Sequence, residues 1–114
     1  MEMNKIKVLF LASNPLDTSR LSLDEEVRGI ERRLRASKYR DSIVLKTWWA
    51  ARPDDLLQAL NEELPQVVHF SGHGSGQSGL AFHDDIGNTH FVTAMALKRV
   101  FSALQGNIRI VILN

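Results

Sequence analysis

Of the 114 residues, the histidine at position 73 has the surroundings that acid–base chemistry asks for. It stands between Gly72 and Gly74 in the stretch VVHFSGHGSG, which runs from Val67 to Gly76. An imidazole with an ordinary pKa of about 6.5 can take up and return a proton near neutrality. Glycine on both sides leaves the ring room and lets a substrate come close to the backbone. The residues Val67 to Phe70 suit a strand buried on both faces, and Gly72, Gly74 and Gly76 permit backbone angles that a β-carbon resists. A buried strand that delivers a titratable side chain to a loop at its C-terminal end is how open α/β sheets present chemistry. The competing reading of His73 is a residue that caps a tight turn.

The elements that must position this histidine follow from the pattern on either side. Ile6 to Ala12 (IKVLFLA) is an apolar run of strand length closed by Ser13, Asn14 and Pro15, so it reads as a central parallel strand. From Ser22 the period changes, with Leu23, Val27, Ile30 and Leu34 at helical spacing and Ser22 with Glu25 as a capping box. The pairs Asp24 with Arg28 and Glu31 with Arg35 lie on the other face of this helix and read as solvated. Ser42 to Trp49 (SIVLKTWW) is a second strand nearer a sheet edge, with Trp48 and Trp49 packing on opposite faces. Pro53 opens a second helix whose stripe is Leu56, Leu57, Leu60 and Leu64, ending at Pro65. Beyond the third strand and its glycines, Leu80 to His83 and His90 to Val92 form a small hairpin joined through Asp84 to Asn88. Thr93 caps a third helix with Leu97, Val100, Phe101 and Leu104 on one face and Gly106 at its exit. Ile108 to Leu113 is the fourth strand. Strands alternating with helices predict parallel pairing and a three-layer α/β/α sandwich in one domain.

Other chemistries fit less well. Gly74, Gly76 and Gly79 spell Gly-x-Gly-x-x-Gly, but they lead into Leu80 to His83, which reads as strand, whereas a dinucleotide site needs them to open a helix. None of Ser71, Ser75 and Ser78 has the flanking glycines of a nucleophile elbow. His69, His73, His83 and His90 with Asp84 and Asp85 match no metal-ligand spacing, so neither metal nor cofactor is expected. His69 reads as a hydrogen-bonded core residue, and His83 and His90 as surface residues of the hairpin. Fourteen basic against thirteen acidic residues give a net charge of +1, which offers no electrostatic case for nucleic acid or an anionic membrane. The run Val8 to Ala12 is too short for a signal or a span, and a cytoplasmic protein is expected. The absence of cysteine excludes disulfides and thiolate metal sites within these residues.

The segment SGHGSGQSGL, followed by a hairpin containing Asp85-Ile86-Gly87 and then a helix, resembles the histidine region of caspase-like cysteine peptidases. KVLFLASNPLDTSRLSLDEEVRGIERRLRASKYRD and WWAARPDDLLQALNEELPQVVHFSGHG resemble bacterial CHAT domains in particular, and the likeness spans essentially the whole chain. It implies a caspase-like, mostly parallel sheet in the order 2-1-3-4, with a Cys-His dyad across the ends of strands three and four. His73 matches the histidine that activates the thiol and later protonates the leaving amine. Gly74 matches the glycine whose N–H stabilises the oxyanion. The family's cysteine follows the fourth strand, a context that Ile110-Val111-Ile112-Leu113-Asn114 is about to enter, and here the sequence departs, having none.

The expectation is therefore a single CHAT domain over residues 1–114, cut just before its cysteine and inactive by itself, from an endopeptidase of bacterial signalling or defence. Asn14, Asp17 and Arg52 follow strands one and two on the same sheet end as His73, so they are candidates for a peptide subsite, with turn formation and helix entry as the alternative. The open edge of strand four predicts self-association or a partner segment that completes the sheet. Two other classes share the scaffold: a non-catalytic caspase-like interaction module, and a flavodoxin-like or TIR-like nucleotide binder.

Overall fold

The computed structural model describes residues 5–17, 22–75, 78–103, 108 and 110–113. β1 (Ile6–Ala12), β2 (Ile43–Trp48), β3 (Val67–Ser71) and β7 (Ile110–Leu113) form a parallel sheet in the order β2-β1-β3-β7. Between them lie the helices α1 (Leu23–Ala36), α2 (Pro53–Glu63) and α3 (Ala94–Ala103). A second, antiparallel sheet of β4 (Gly74–Ser75), β5 (Gly79–His83) and β6 (Thr89–Val92) has the order β4-β5-β6. The order 2-1-3-4 and the hairpin after the third strand are those expected of the caspase-like sandwich. The two-residue β4, which the sequence pattern did not indicate, adds a third strand to the hairpin.

The two faces of the parallel sheet bury different partners. Leu9, Leu11, Val68 and Phe70 pack with Leu56, Ala59 and Leu60 of α2, Leu97 of α3 and Phe82 of β5. Phe10 and Ala12 point the other way and pack with Leu23 and Val27 of α1. The alternation along β1 is the period-two consequence of a strand buried on both sides, and it assigns α1 to one layer and α2 with α3 to the other. Trp48 packs against the α2 and α3 side. Trp49 is half exposed at the sheet end.

Helix ends partly depart from expectation. The Ser22 side chain makes no cap hydrogen bond, so the Ser22–Glu25 capping box does not form. Ser22 (φ −88°, ψ 61°) lies outside the usual extended cap geometry, and the first turn instead carries Asp24, Glu25 and Glu26 against the positive end of the helix. At α2 the Asp55 carboxylate accepts from the Arg52 backbone N–H at 2.9 Å, behind Pro53. The Thr93 hydroxyl accepts from Ala96 N–H at 3.1 Å and caps α3 as expected. Leu104, Gly106, Gly76 and Asn114 lie outside the described residues. Among the described residues no helix is long and apolar enough to cross a membrane.

Candidate functional site

All four parallel strands end at the same edge of the sheet, and the second sheet is laced across it. Ser13 N–H donates to Ser71 C=O at 3.1 Å, joining the ends of β1 and β3 where the connections turn to opposite sides. Ala51 N–H donates to Ala12 C=O at 3.0 Å, and His83 N–H donates to Ala51 C=O at 2.7 Å, which draws β5 toward the ends of β1 and β2. The buried Ser13 hydroxyl donates to Ala81 C=O at 2.6 Å, and Ala81 N–H donates to His73 C=O at 2.9 Å. His73 therefore follows the end of β3 with its main chain fixed by β5.

The same pairing sets the direction of the next amide. Gly74 is opposite Leu80 in an antiparallel ladder, and the bond from Ala81 to His73 makes that a non-hydrogen-bonded pair. The N–H of Gly74 consequently points away from β5. The glycines serve different ends from those expected. A β-carbon on Gly72 would lie 2.6 Å from Ser13 O, so Gly72 is required by close approach of β1. Gly74 has ordinary backbone angles and room for a β-carbon, with Leu80 Cδ2 nearest at 3.7 Å. Gly79 has a φ of +99° where β5 opens, an angle that a side chain would strain, and its β-carbon would run into the Val92 carbonyl. Because Gly79 begins a strand, no helix N-terminus stands at the end of the glycine run to meet a pyrophosphate.

A cavity of about 400 Å³ opens beside this edge, lined by Ala12, Asn14, Leu23, Asp24, Trp49, Ala50 and His83. Its histidine is not the surface residue that the hairpin pattern suggested. Asn14 N–H donates to His83 Nε2 at 3.0 Å, so the neutral ring carries its proton on Nδ1. Burial, and after it the positive charge of Arg52, hold the His83 imidazole below its ordinary value against an upward pull from Asp84 and Asp17. Asn14 thus lines the cavity and is bound through its backbone to His83. Asp17 accepts from the Thr89 N–H at 2.9 Å and the Thr89 hydroxyl at 2.7 Å, which holds its carboxyl below the usual range. Arg52 faces Asp85 at 3.5 Å across an exposed pair. All three lie where the first two strands meet the hairpin.

Two buried serines near His73 are already committed, Ser13 to Ala81 and Ser71 to the Glu26 carboxylate at 2.7 Å. Among the described residues no three His, Asp or Glu side chains converge in a way that could hold a metal ion. The strand ends thus bring His73 and an outward-directed Gly74 amide to the edge beside which the cavity opens. Sequence reasoning missed His83 and Ser13, whose partners are 69 and 68 residues away in the chain.

The chain is 32% identical over 98 residues, 82% of its length, to a protein named Roc-COR-CHAT protease from an unknown prokaryotic organism, of which it covers 9%. It is 29% identical over 77 residues, 68% of its length, to a probable protease of Gillisia limnaea, of which it covers 14%. It thus spans between 9% and 14% of the length of these relatives. No family profile matches the chain. The two distant likenesses support a protease-related origin.

Proposed function

We propose that this chain is the histidine-bearing part of a CHAT-type cysteine endopeptidase domain, with His73 as its general base and acid. The observation that carries the reading is the placement of His73 just past the end of β3, followed by an amide, that of Gly74, turned away from its own sheet. Phe70 pairs with Leu113 in the β3–β7 register. At about 3.3 Å per residue, a side chain a few places beyond Leu113 would come alongside Gly72 and His73.

In this reading a cysteine beyond Asn114 gives its thiol proton to His73, and the thiolate attacks the peptide carbonyl. The oxyanion is stabilised by Gly74 N–H. As the C–N bond breaks, His73 returns the proton to the leaving amine, and water then hydrolyses the thioester. Asn14, with the cavity, would receive a substrate side chain, while Asp17 and Arg52 hold the hairpin beside it. The substrate is a protein or peptide, the setting bacterial signalling or defence in the cytoplasm, and the chain by itself lacks the nucleophile.

The complete absence of cysteine favours a second reading, a non-catalytic caspase-like module that uses the same strand ends to hold a partner. The residues that follow Asn114 separate the two, because the enzyme requires a cysteine there. The functional test is proteolysis by the protein continued past Asn114, before and after alkylation with iodoacetamide. Loss of cleavage on alkylation supports the cysteine peptidase, and cleavage that survives alkylation overturns it.

A further inference from the structure

The α1 face of the sheet holds a polar cluster in a layer that is otherwise apolar. Phe10, Ala12, Leu23 and Val27 are buried there, and His69 and Ser71 share the face because they pair with Phe10 and Ala12. Ser71 is 2% exposed and its hydroxyl donates to Glu26 Oε2 at 2.7 Å. The other carboxylate oxygen, Oε1, lies 3.5 Å from His69 Nε2. The His69 ring stacks on Phe10, centroid to centroid 4.9 Å, and Nε2 makes no hydrogen bond, so the contact with Glu26 is an ion-pair distance and no more. The expectation of a hydrogen-bonded core histidine is corrected accordingly.

The Glu26 side chain keeps 28% of its surface exposed, so its carboxylate is partly desolvated here, a cost that an apolar residue would not carry. The cluster therefore calls for a reason other than stability, and its position supplies one. Ser71 ends β3 two residues before His73. Its carbonyl is held by Ser13 N–H and its side chain by Glu26, from two different layers. The next residue, Gly72, is pressed against Ser13, and His73 is then held by Ala81. These backbone holds come from β1 and β5. Glu26 adds a hold from α1, whose first turn also lines the cavity through Leu23 and Asp24.

Resting on the reading of His73 above, we infer that Glu26 is a positioning residue. Through Ser71 it sets the approach of the chain to His73 and ties that approach to the helix that walls the cavity. The effect of Glu26 passes through the Ser71 hydroxyl, two residues before His73. His69, stacked on Phe10, stands 3.5 Å from the other carboxylate oxygen.

The test uses the 114-residue chain and needs no peptidase activity. Amide exchange and histidine-selective carbon NMR are compared for wild type, Ser71→Ala, Ser71→Thr and Glu26→Gln. Loss of a hydrogen bond to a charged group predicts roughly tenfold or greater loss of protection at the Ala81 amide, the one that holds His73. The His73 ring signals should move with it, and α2 amides should keep their protection. Ser71→Thr retains the hydroxyl and should restore both signals, which general loosening of the strand would not do. Unchanged Ala81 protection and His73 signals in Ser71→Ala would overturn the inference, whether or not Glu26→Gln folds. In a longer, cleaving form of the protein, Ser71→Ala should lower kcat with KM unchanged. If that form does not cleave, the peptidase reading fails while the NMR result stands by itself.

Discussion

Replacing Gly72 by alanine places a methyl group 2.6 Å from the Ser13 carbonyl oxygen and 3.1 and 3.2 Å from Cζ and Cε1 of the Phe70 ring. Neither neighbour can yield cheaply. Ser13 is 0% exposed and its N–H and hydroxyl are both engaged, to Ser71 and Ala81. Phe70 is 2% exposed and packed against Phe82 with ring centroids 5.0 Å apart. Relief means separating the ends of β1 and β3, which breaks the 3.1 Å bond from Ser13 to Ser71. Overpacking costs about 1–3 kcal/mol. The lost hydrogen bond adds about 0.5–1.5 kcal/mol, so Gly72→Ala should destabilise by about 2–4 kcal/mol. At roughly 4 °C or more per kcal/mol, Tm should fall by more than about 8 °C. Gly74→Ala is the control two residues away: its methyl meets nothing nearer than 3.7 Å, so it should change stability by less than about 1 kcal/mol. Urea unfolding followed by tryptophan fluorescence and far-ultraviolet circular dichroism compares the two. Equal effects from both substitutions would refute the close-approach account of Gly72.

Ser13→Ala leaves the Ala81 carbonyl without its 2.6 Å donor and should cost about 1–3 kcal/mol in the same unfolding assay. His83, held below its reference value of 6.5, favours the neutral ring in the folded state. Its contribution is therefore intact above that reference and is lost as pH falls from there through the lower folded value. A plot of unfolding free energy against pH should show this decline, and His83→Gln should remove it. Asp17 is shifted downward by its bonds from Thr89, so its contribution is present above 3.8 and lost as pH falls through the folded value. Thr89→Val should move the Asp17 titration, read by carboxyl carbon NMR, upward toward the ordinary range.

The local patterns sufficed for the parallel strands, because a run such as VLFLA can be satisfied only by burial on both faces. Helix, strand and crossover then left few topologies, and the order 2-1-3-4 is among them. The place of His73 just past the end of β3 was legible for a related reason: glycines after a buried strand mark a place where backbone must come close to something. Which glycine does so was not legible, since Gly72 owes its role to Ser13, a contact made only when β1 and β3 are side by side. The inward turn of His83 depends likewise on Asn14, and the Glu26–Ser71 bond joins residues 45 apart. The failed Ser22 cap shows the opposite error, in which a local motif is present and Ser22 itself does not adopt the geometry it needs. β4 is two residues long, too short for any period to show.

The central claim is that His73 moves the proton in a cysteine peptidase whose nucleophile lies beyond Asn114. Its most direct test is kcat/KM for peptide cleavage by the protein continued past Asn114, wild type against His73→Ala. Removing a general acid and base should lower the rate by about 10²–10⁴-fold with the fold intact. Cleavage by His73→Ala at the wild-type rate would contradict the account.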